Sequence, residues 1–321
     1  LTVHQLLQKL LDEFGKNSRG VDELKPGEQR WNPSSIQGDK ITMAKKGSFE
    51  ASAKRLREVQ PAVAAIRTRL RTLFVATRVP ARLEGLRRGK SISTRFLGET
   101  IGMLAAQEIP RRAFRAELPA TKQDMAIVLC TDESGSMSSV REPLIQTFLA
   151  LAEGMSSVGQ AVFSFGIRSA NGSKGNTHNE NEPTHRNHAV EYMVYQKWGE
   201  PFMTVSQRFD SVRAAGSTPL GDGLHFALEL LRQRPETHRL VLMLTDGDPD
   251  GGHAPVIRYD QRVAMREKIH VVGVGIGAYS GNLQTLFPDH VIIPNPNDLA
   301  PLLMAKLYDL CHARIAAGMA I

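Results

Sequence analysis

From about residue 122 onward, runs that are apolar almost throughout alternate with runs of helical periodicity. "MAIVLCT" (125–131), "RLVLMLT" (239–245) and "IHVVGVGI" (269–276) show no polar face. A strand half exposed to water alternates apolar and polar residues; one buried on both faces does not. Between these runs lie "PLIQTFLALAEGM" (143–155), "PLGDGLHFALELLRQ" (219–233) and "IRYDQRVAMREK" (257–268), with apolar residues at helical spacing. "QAVFSF", "AVEYMVY" and "HVIIP" add shorter strands, and "DLAPLLMAKLYDLCHARIA" closes as a helix. This rhythm predicts an α/β fold over residues 121–321. It is a doubly wound, mostly parallel sheet with helices on both faces. In such a sheet the ligand site lies at the carboxyl ends of the strands. Residues 166–188 carry neither signal and are expected to form an inserted polar loop.

The first 120 residues read differently. Residues 1–14 place Leu6, Leu7, Leu10, Leu11 and Phe14 on one helical face. Residues 15–45 are rich in Gly, Pro, Asn and Ser and predict an irregular connection, and a helical pattern runs from about Ser48 to Phe74. "RLEGLRRGKSIS" predicts a turn at Gly89 between short extended pieces. The region is mainly helical and basic, with 23 Lys and Arg against 12 Asp and Glu, while the rest holds 17 against 21. Arg67, Arg69, Arg71, Arg78, Arg82, Arg87, Arg88 and Lys90 are interrupted by Glu84 alone. No aromatic–basic alternation accompanies them, so the expected partner is an acidic protein surface, with nucleic acid as the alternative.

No apolar run approaches membrane-spanning length. The opening "LTVHQLLQKLLDEF" carries acids and no signal-peptide pattern, and only Cys130 and Cys311 occur. A cytoplasmic protein is expected.

Directly after the first apolar strand comes "CTDESGSMSSV", Cys130 to Val140. Two acids and four serines crowd the end of a buried strand. A serine hydrolase would need G-x-S-x-G, which Ser134 and Ser136 do not provide. Ser139 and Glu142 match a capping box, but capping uses one serine and leaves Asp132, Ser134 and Ser136 unexplained. The remaining reading is an oxygen-only metal site. "GSTPLGDGL" puts Thr218 and Pro219 at a helix start, with Thr218 the expected N-cap, and "LMLTDGDPDGG" puts Asp246 after another apolar strand. Asp132, Ser134, Ser136, Thr218 and Asp246 together form the hard-ligand set for Mg²⁺, or for Mn²⁺ or Ca²⁺.

These three loops, in this order on an α/β pattern, resemble the metal-ion-dependent adhesion site (MIDAS) of von Willebrand factor A (VWA) domains. The resemblance covers about residues 122–317. It implies that Ser134, Ser136 and Thr218 ligate metal directly, that Asp132 and Asp246 act mainly through water, and that a partner's Asp or Glu completes the shell. A basic helical region before the VWA domain looks like the intracellular group that works with MoxR-type AAA+ ATPases. "AAIRTRLRTLF", "LEGLRRGK" and "DMAIVLCTDESGSM", with "GVGIG" and the closing helix, most resemble the T subunit of aerobic cobaltochelatase (CobT-like). The resemblance implies a non-catalytic adaptor that docks on an AAA+ (MoxR/CobS-like) partner and couples ATP-driven motion to a client, such as metal insertion into a corrin ring. No P-loop is present, and no catalytic residues are evident. The alternative is a VWA binding module whose basic half holds nucleic acid.

Three further motifs are set aside. "DGDPDG" mimics an EF-hand start, but Ile257 stands where a bidentate Glu is required. "GVGIG" lacks the dinucleotide spacing and is read as small residues permitting close helix packing. His178, His185 and His188 lie in the polar loop without a second metal motif.

Overall fold

The computed structural model describes residues 24–31, 39–76, 82–88, 91–117, 125–158, 160–169, 189–236, 238–246, 252–276 and 283–294, with a few isolated positions after these and at 249. The expected helix over 1–14, the turn at Gly89, residues 170–188 and most of the closing helix lie outside the described residues.

Seven strands make one sheet: β1 (Lys40–Met43), β5 (Met125–Asp132), β6 (Ala161–Ser169), β7 (Val190–Gln196), β8 (His238–Thr245), β9 (Ile269–Ile276) and β10 (His290–Ile293). Their order is β1-β7-β6-β5-β8-β9-β10. All neighbours run parallel except β6 and β7, which pair antiparallel. The α/β, mostly parallel architecture expected from the apolar runs is present. Two expectations are corrected. Residues 40–43 lie in the stretch expected to be irregular, yet they pair with β7 as an edge strand. Four residues carry too little pattern to announce a strand whose stability comes from its neighbour. β6 also runs to Ser169, into the stretch expected as loop.

β5 is the central strand, buried from Ala126 to Asp132. Ala126, Val128 and Cys130 face a core shared with α5 (Leu220–Arg232) and α6 (His253–Arg266). The period of two turns Ile127 and Leu129 to the opposite face, which α3 (Arg141–Ser156) covers. Cys130 is a buried free thiol. At the "GVGIG" stretch the close approach at Gly273 is taken by one ring: an added Cβ would lie 2.8 Å from Phe287, just beyond the short α7 (Leu283–Leu286).

Outside α3 lies α1 (Phe49–Ala76), the helix expected from residue 48. Val59, Val63, Ile66 and Leu70 are its buried stripe. Arg55 bonds Glu142, Glu58 accepts from Gln146, Gln60 donates to Glu153, and Arg67 donates to Ser157. The partners ascend together along both helices, so α1 and α3 run parallel. By contacts, residues 1–70 and 124–321 form one unit and 71–123 another, a division that differs from a boundary near residue 120. Hydrophobic burial of α1 ties the first part of the basic region to the α/β sheet.

The 71–123 unit is a small antiparallel sheet in the order β2-β4-β3, from Arg82–Leu86, Phe114–Glu117 and Ser91–Ile92. β2 bulges between Glu84 and Leu86. A short helix, α2 (Leu97–Ala105), follows β3. Among the described residues no helix is long and apolar enough to cross a membrane.

Candidate metal centre

β5 and β8 are adjacent and parallel, so both end at the same edge of the sheet: Thr131 lies opposite Leu244. Asp132 stands one residue beyond Thr131, and Asp246 two residues beyond Leu244. Thr245 Oγ1 donates to Asp132 Oδ2 at 3.0 Å, tying the two strand ends together. Asp132 Oδ1 accepts the Ser134 N–H at 2.8 Å, turning the chain back over the strand end. A 3₁₀ segment, Gly135–Val140, follows and leads into α3. Ser134 Oγ and Ser136 Oγ are brought to 2.9 Å of each other.

The Thr218 loop is laced to the Asp132 loop through backbone. Gly135 N–H donates to Gly216 O at 3.0 Å, and Ala215 N–H donates to Glu133 O at 2.7 Å. Ser217 N–H donates to Ser169 Oγ at 3.1 Å, anchoring the same loop to the end of β6. Thr218 follows directly and is buried. The structure therefore places all five predicted residues on three loops at the carboxyl ends of β5 and β8 and at the start of α5. Asp132 and Ser134 are buried and Ser136 is exposed, so the cluster opens to solvent on the serine side.

Electrostatics mark the cluster. Burial, and then the nearby negative charge of Asp246, push the Asp132 carboxyl up to about 7, although the Ser134 and Thr245 hydrogen bonds pull it down. Asp246 Oδ1 is buried and has no hydrogen-bond partner. A buried carboxylate oxygen without a donor is costly, and a cation beside it would remove that cost. The donors are hydroxyls and carboxylates only. Among the described residues no three His, Cys, Asp or Glu side chains gather as a ligand set. This chemistry fits a hard divalent cation and not a thiolate or imidazole metal. His178, His185 and His188 lie outside the described residues, as do Asp248 and Asp250 of the EF-hand look-alike.

Two local expectations are corrected. Ser139 and Glu142 form no capping box: Ser139 lies within the 3₁₀ segment, and Glu142 turns to Arg55. Thr218 is not the N-cap of α5. That position is Pro219, without a side-chain cap bond, and Thr218 contributes only its carbonyl to the Leu220 N–H. Its hydroxyl is not engaged in capping.

Sequence reasoning passed over Glu133. Its backbone and side chain both join the Asp132 loop to the Thr218 loop. The carboxylate is fully buried, accepts from the Tyr195 hydroxyl and from Arg168 Nη1 at 3.2 Å, and meets the Arg213 N–H at 3.4 Å. Burial raises it to about 7 against the lowering effect of Tyr195 and Arg168. A Cβ at Gly166 would collide with this carboxylate, so the absence of a side chain there makes its room. The available signal was an ionisable residue in a segment otherwise buried on both sides. Trp31 was also missed. Its indole N–H donates to Asp222 Oδ1 at 2.6 Å, and its ring stacks on His225 at 4.2 Å, fixing the start of α5 four residues beyond Thr218.

No protein-family model and no curated protein match the chain. Among solved structures it is similar to proximal thread matrix protein 1 from the mussel byssus with a zinc-occupied MIDAS motif. That match has 16% identity, covers 59% of this chain and 46% of that one, and has a TM-score of 0.43. It is similar to a von Willebrand factor type A structure from Catenulispora acidiphila, at 16% identity, 59% and 43% coverage and a TM-score of 0.39. The SpRpn10 VWA domain matches at 13% identity, 56% and 93% coverage and a TM-score of 0.37. The chain thus spans less than half of the mussel and Catenulispora proteins.

Proposed function

We propose that the chain is a metal-dependent protein-interaction subunit of the VWA type, with its metal held by Asp132, Ser134, Ser136, Thr218 and Asp246. The observation that carries this reading is the buried, unpartnered Asp246 Oδ1 beside Asp132, on loops that also bring the Ser134 and Ser136 hydroxyls together. The metal class is Mg²⁺, with Mn²⁺ or Ca²⁺ as alternatives of the same hardness. When bound, the ion supplies Lewis acidity toward an anionic oxygen. The protein's own part is to fix the loops through Thr245, the Ser134 amide and Glu133, and to leave Ser136 exposed on the open side. A carboxylate is the commonest anionic oxygen a protein partner presents.

The partner we assign is a MoxR-type AAA+ ATPase. This rests on the likeness of the basic stretches and of "DMAIVLCTDESGSM" to the CobT-like cobaltochelatase subunit. Without a P-loop, the chain depends on another subunit for ATP-driven motion. The basic region we assign to an acidic protein surface. Pull-down of the AAA+ partner with and without EDTA tests the metal-bridged contact. Thr218→Ser keeps the hydroxyl and should keep binding. Thr218→Asn should fold and bind poorly. A complex indifferent to both EDTA and Thr218→Asn would overturn the assignment.

A further inference from the structure

The 71–123 unit carries eleven Lys and Arg against four Glu, a net of +7. That equals the net charge of the whole protein, so the other 268 residues sum to zero. On the same unit, α2 shows water an aliphatic row. Leu97, Ile101 and Leu104 follow one another at helical spacing and are 42%, 57% and 59% exposed. Thr100 is the helix's buried residue, and Glu99 points away from the aliphatic row by the helical repeat. Ile109, just beyond the helix, is 87% exposed. Arg95 and Arg112 sit over the ring of Phe96, next to Leu97. Arg87, Arg88, Arg95, Arg111 and Arg112 meet no carboxylate among the described residues.

We propose that the Leu97–Ile101–Leu104 face of α2, with Arg95 and Arg112 at its edge, docks an acidic amphipathic helix of another protein. The proposal rests on reading the basic region as a protein-binding surface, and it names the place and the partner's chemistry. An aliphatic row over two turns matches the i, i+3/4, i+7 anchors of a partner helix. The uncompensated arginines select one whose flanks are Asp and Glu. Phosphate backbones gain nothing from an aliphatic row, and the nearest aromatic ring, Phe96, already lies beneath two arginines.

The test uses the full chain and a fluorescent peptide of about four helical turns, with Leu at i, i+4 and i+7 and Glu on its flanks. A scrambled peptide of the same composition is the control. At about 150 mM salt, the amphipathic peptide should bind at least about tenfold tighter than the scramble. Ile101→Gln/Leu104→Gln should remove about tenfold in affinity or more, and Arg95→Gln/Arg112→Gln should weaken binding and flatten its salt dependence. Both pairs are exposed, and unchanged thermal melting shows that the variants fold. EDTA and Asp132→Ala should leave peptide binding untouched, so this result stands or falls apart from the metal site. Equal binding of the scramble, or no effect of Ile101→Gln/Leu104→Gln, overturns the proposal. So does displacement of the peptide by single-stranded DNA, capture by phosphatidylserine vesicles in preference to the peptide, or self-association that Ile101→Gln/Leu104→Gln abolishes.

Discussion

The two units use arginine in opposite ways. In the α/β unit, Arg55 pairs with Glu142 and Asp210, Arg168 with Glu133 and Glu191, Arg208 with Glu200, Arg232 with Glu229 and Glu267, and Arg262 with Glu28. Most of these side chains are at least three-quarters covered. In the 71–123 unit, five arginines find no carboxylate among the described residues, and aliphatic side chains stand in water beside them. These pairs in the first unit serve the fold and hold loops and helices in register. Charge in the second is left over, which is what a binding surface needs and a folding core avoids.

The largest effect is expected from Glu133→Ala. It strips the buried Tyr195 hydroxyl of its acceptor and leaves Arg168 with one carboxylate instead of two. Loss of one partner from a buried charged network costs about 3 kcal/mol or more. Urea unfolding should show that loss, and a cost below about 1 kcal/mol would mean that the network does not hold the loops. Gly166→Ala attacks the same group sterically. The added methyl forces the Glu133 carboxylate aside, at about 1–3 kcal/mol.

A smaller effect follows from pH. Asp132 and Glu133 are both raised to about 7 from ordinary values of 3.8 and 4.5. The folded chain then holds protons that the unfolded chain releases. The stability they contribute is complete below about pH 4 and is lost as pH rises through about 7. In EDTA, Tm should fall between about pH 5 and pH 7.5. Mg²⁺ requires the deprotonated carboxylate, so it should raise Tm more at the higher pH. A Tm in EDTA that climbs over this interval contradicts the burial of these acids. At the small end, Arg87→Gln or Arg111→Gln in the basic unit should change unfolding by no more than about 0.5 kcal/mol. A larger loss would show that these arginines are structural and would erase the contrast.

Much of the fold was legible because burial writes directly into sequence. β5, β8 and β9 are covered on both faces and read as apolar runs, and α5 shows its stripe at helical spacing. The three polar loops were legible because Asp, Ser and Thr crowd the strand ends, where a parallel sheet gathers its loops. β1 was not, since four residues with a partner far along the chain carry no pattern of their own. The division within the basic region was not legible for a related reason. Counting charge over 1–120 joins α1, whose Arg55 is paired and whose Ile66 and Leu70 are buried, to a segment that forms a unit of its own. Glu133 was hidden by its neighbours: in a string of site-like polar residues, the one that faces inward has no compositional mark.

In the proposed function, the oxygens of Asp132, Ser134, Ser136, Thr218 and Asp246 form a divalent-cation site. Isothermal titration of Mg²⁺ into the full chain at pH 7.5, beside Asp132→Ala/Asp246→Ala, tests it most directly. The account predicts one Mg²⁺ per chain with proton release on binding, and loss of that binding in the double variant while the fold persists. A wild-type chain that takes up no Mg²⁺, Mn²⁺ or Ca²⁺, or a double variant that binds with undiminished affinity, would contradict it.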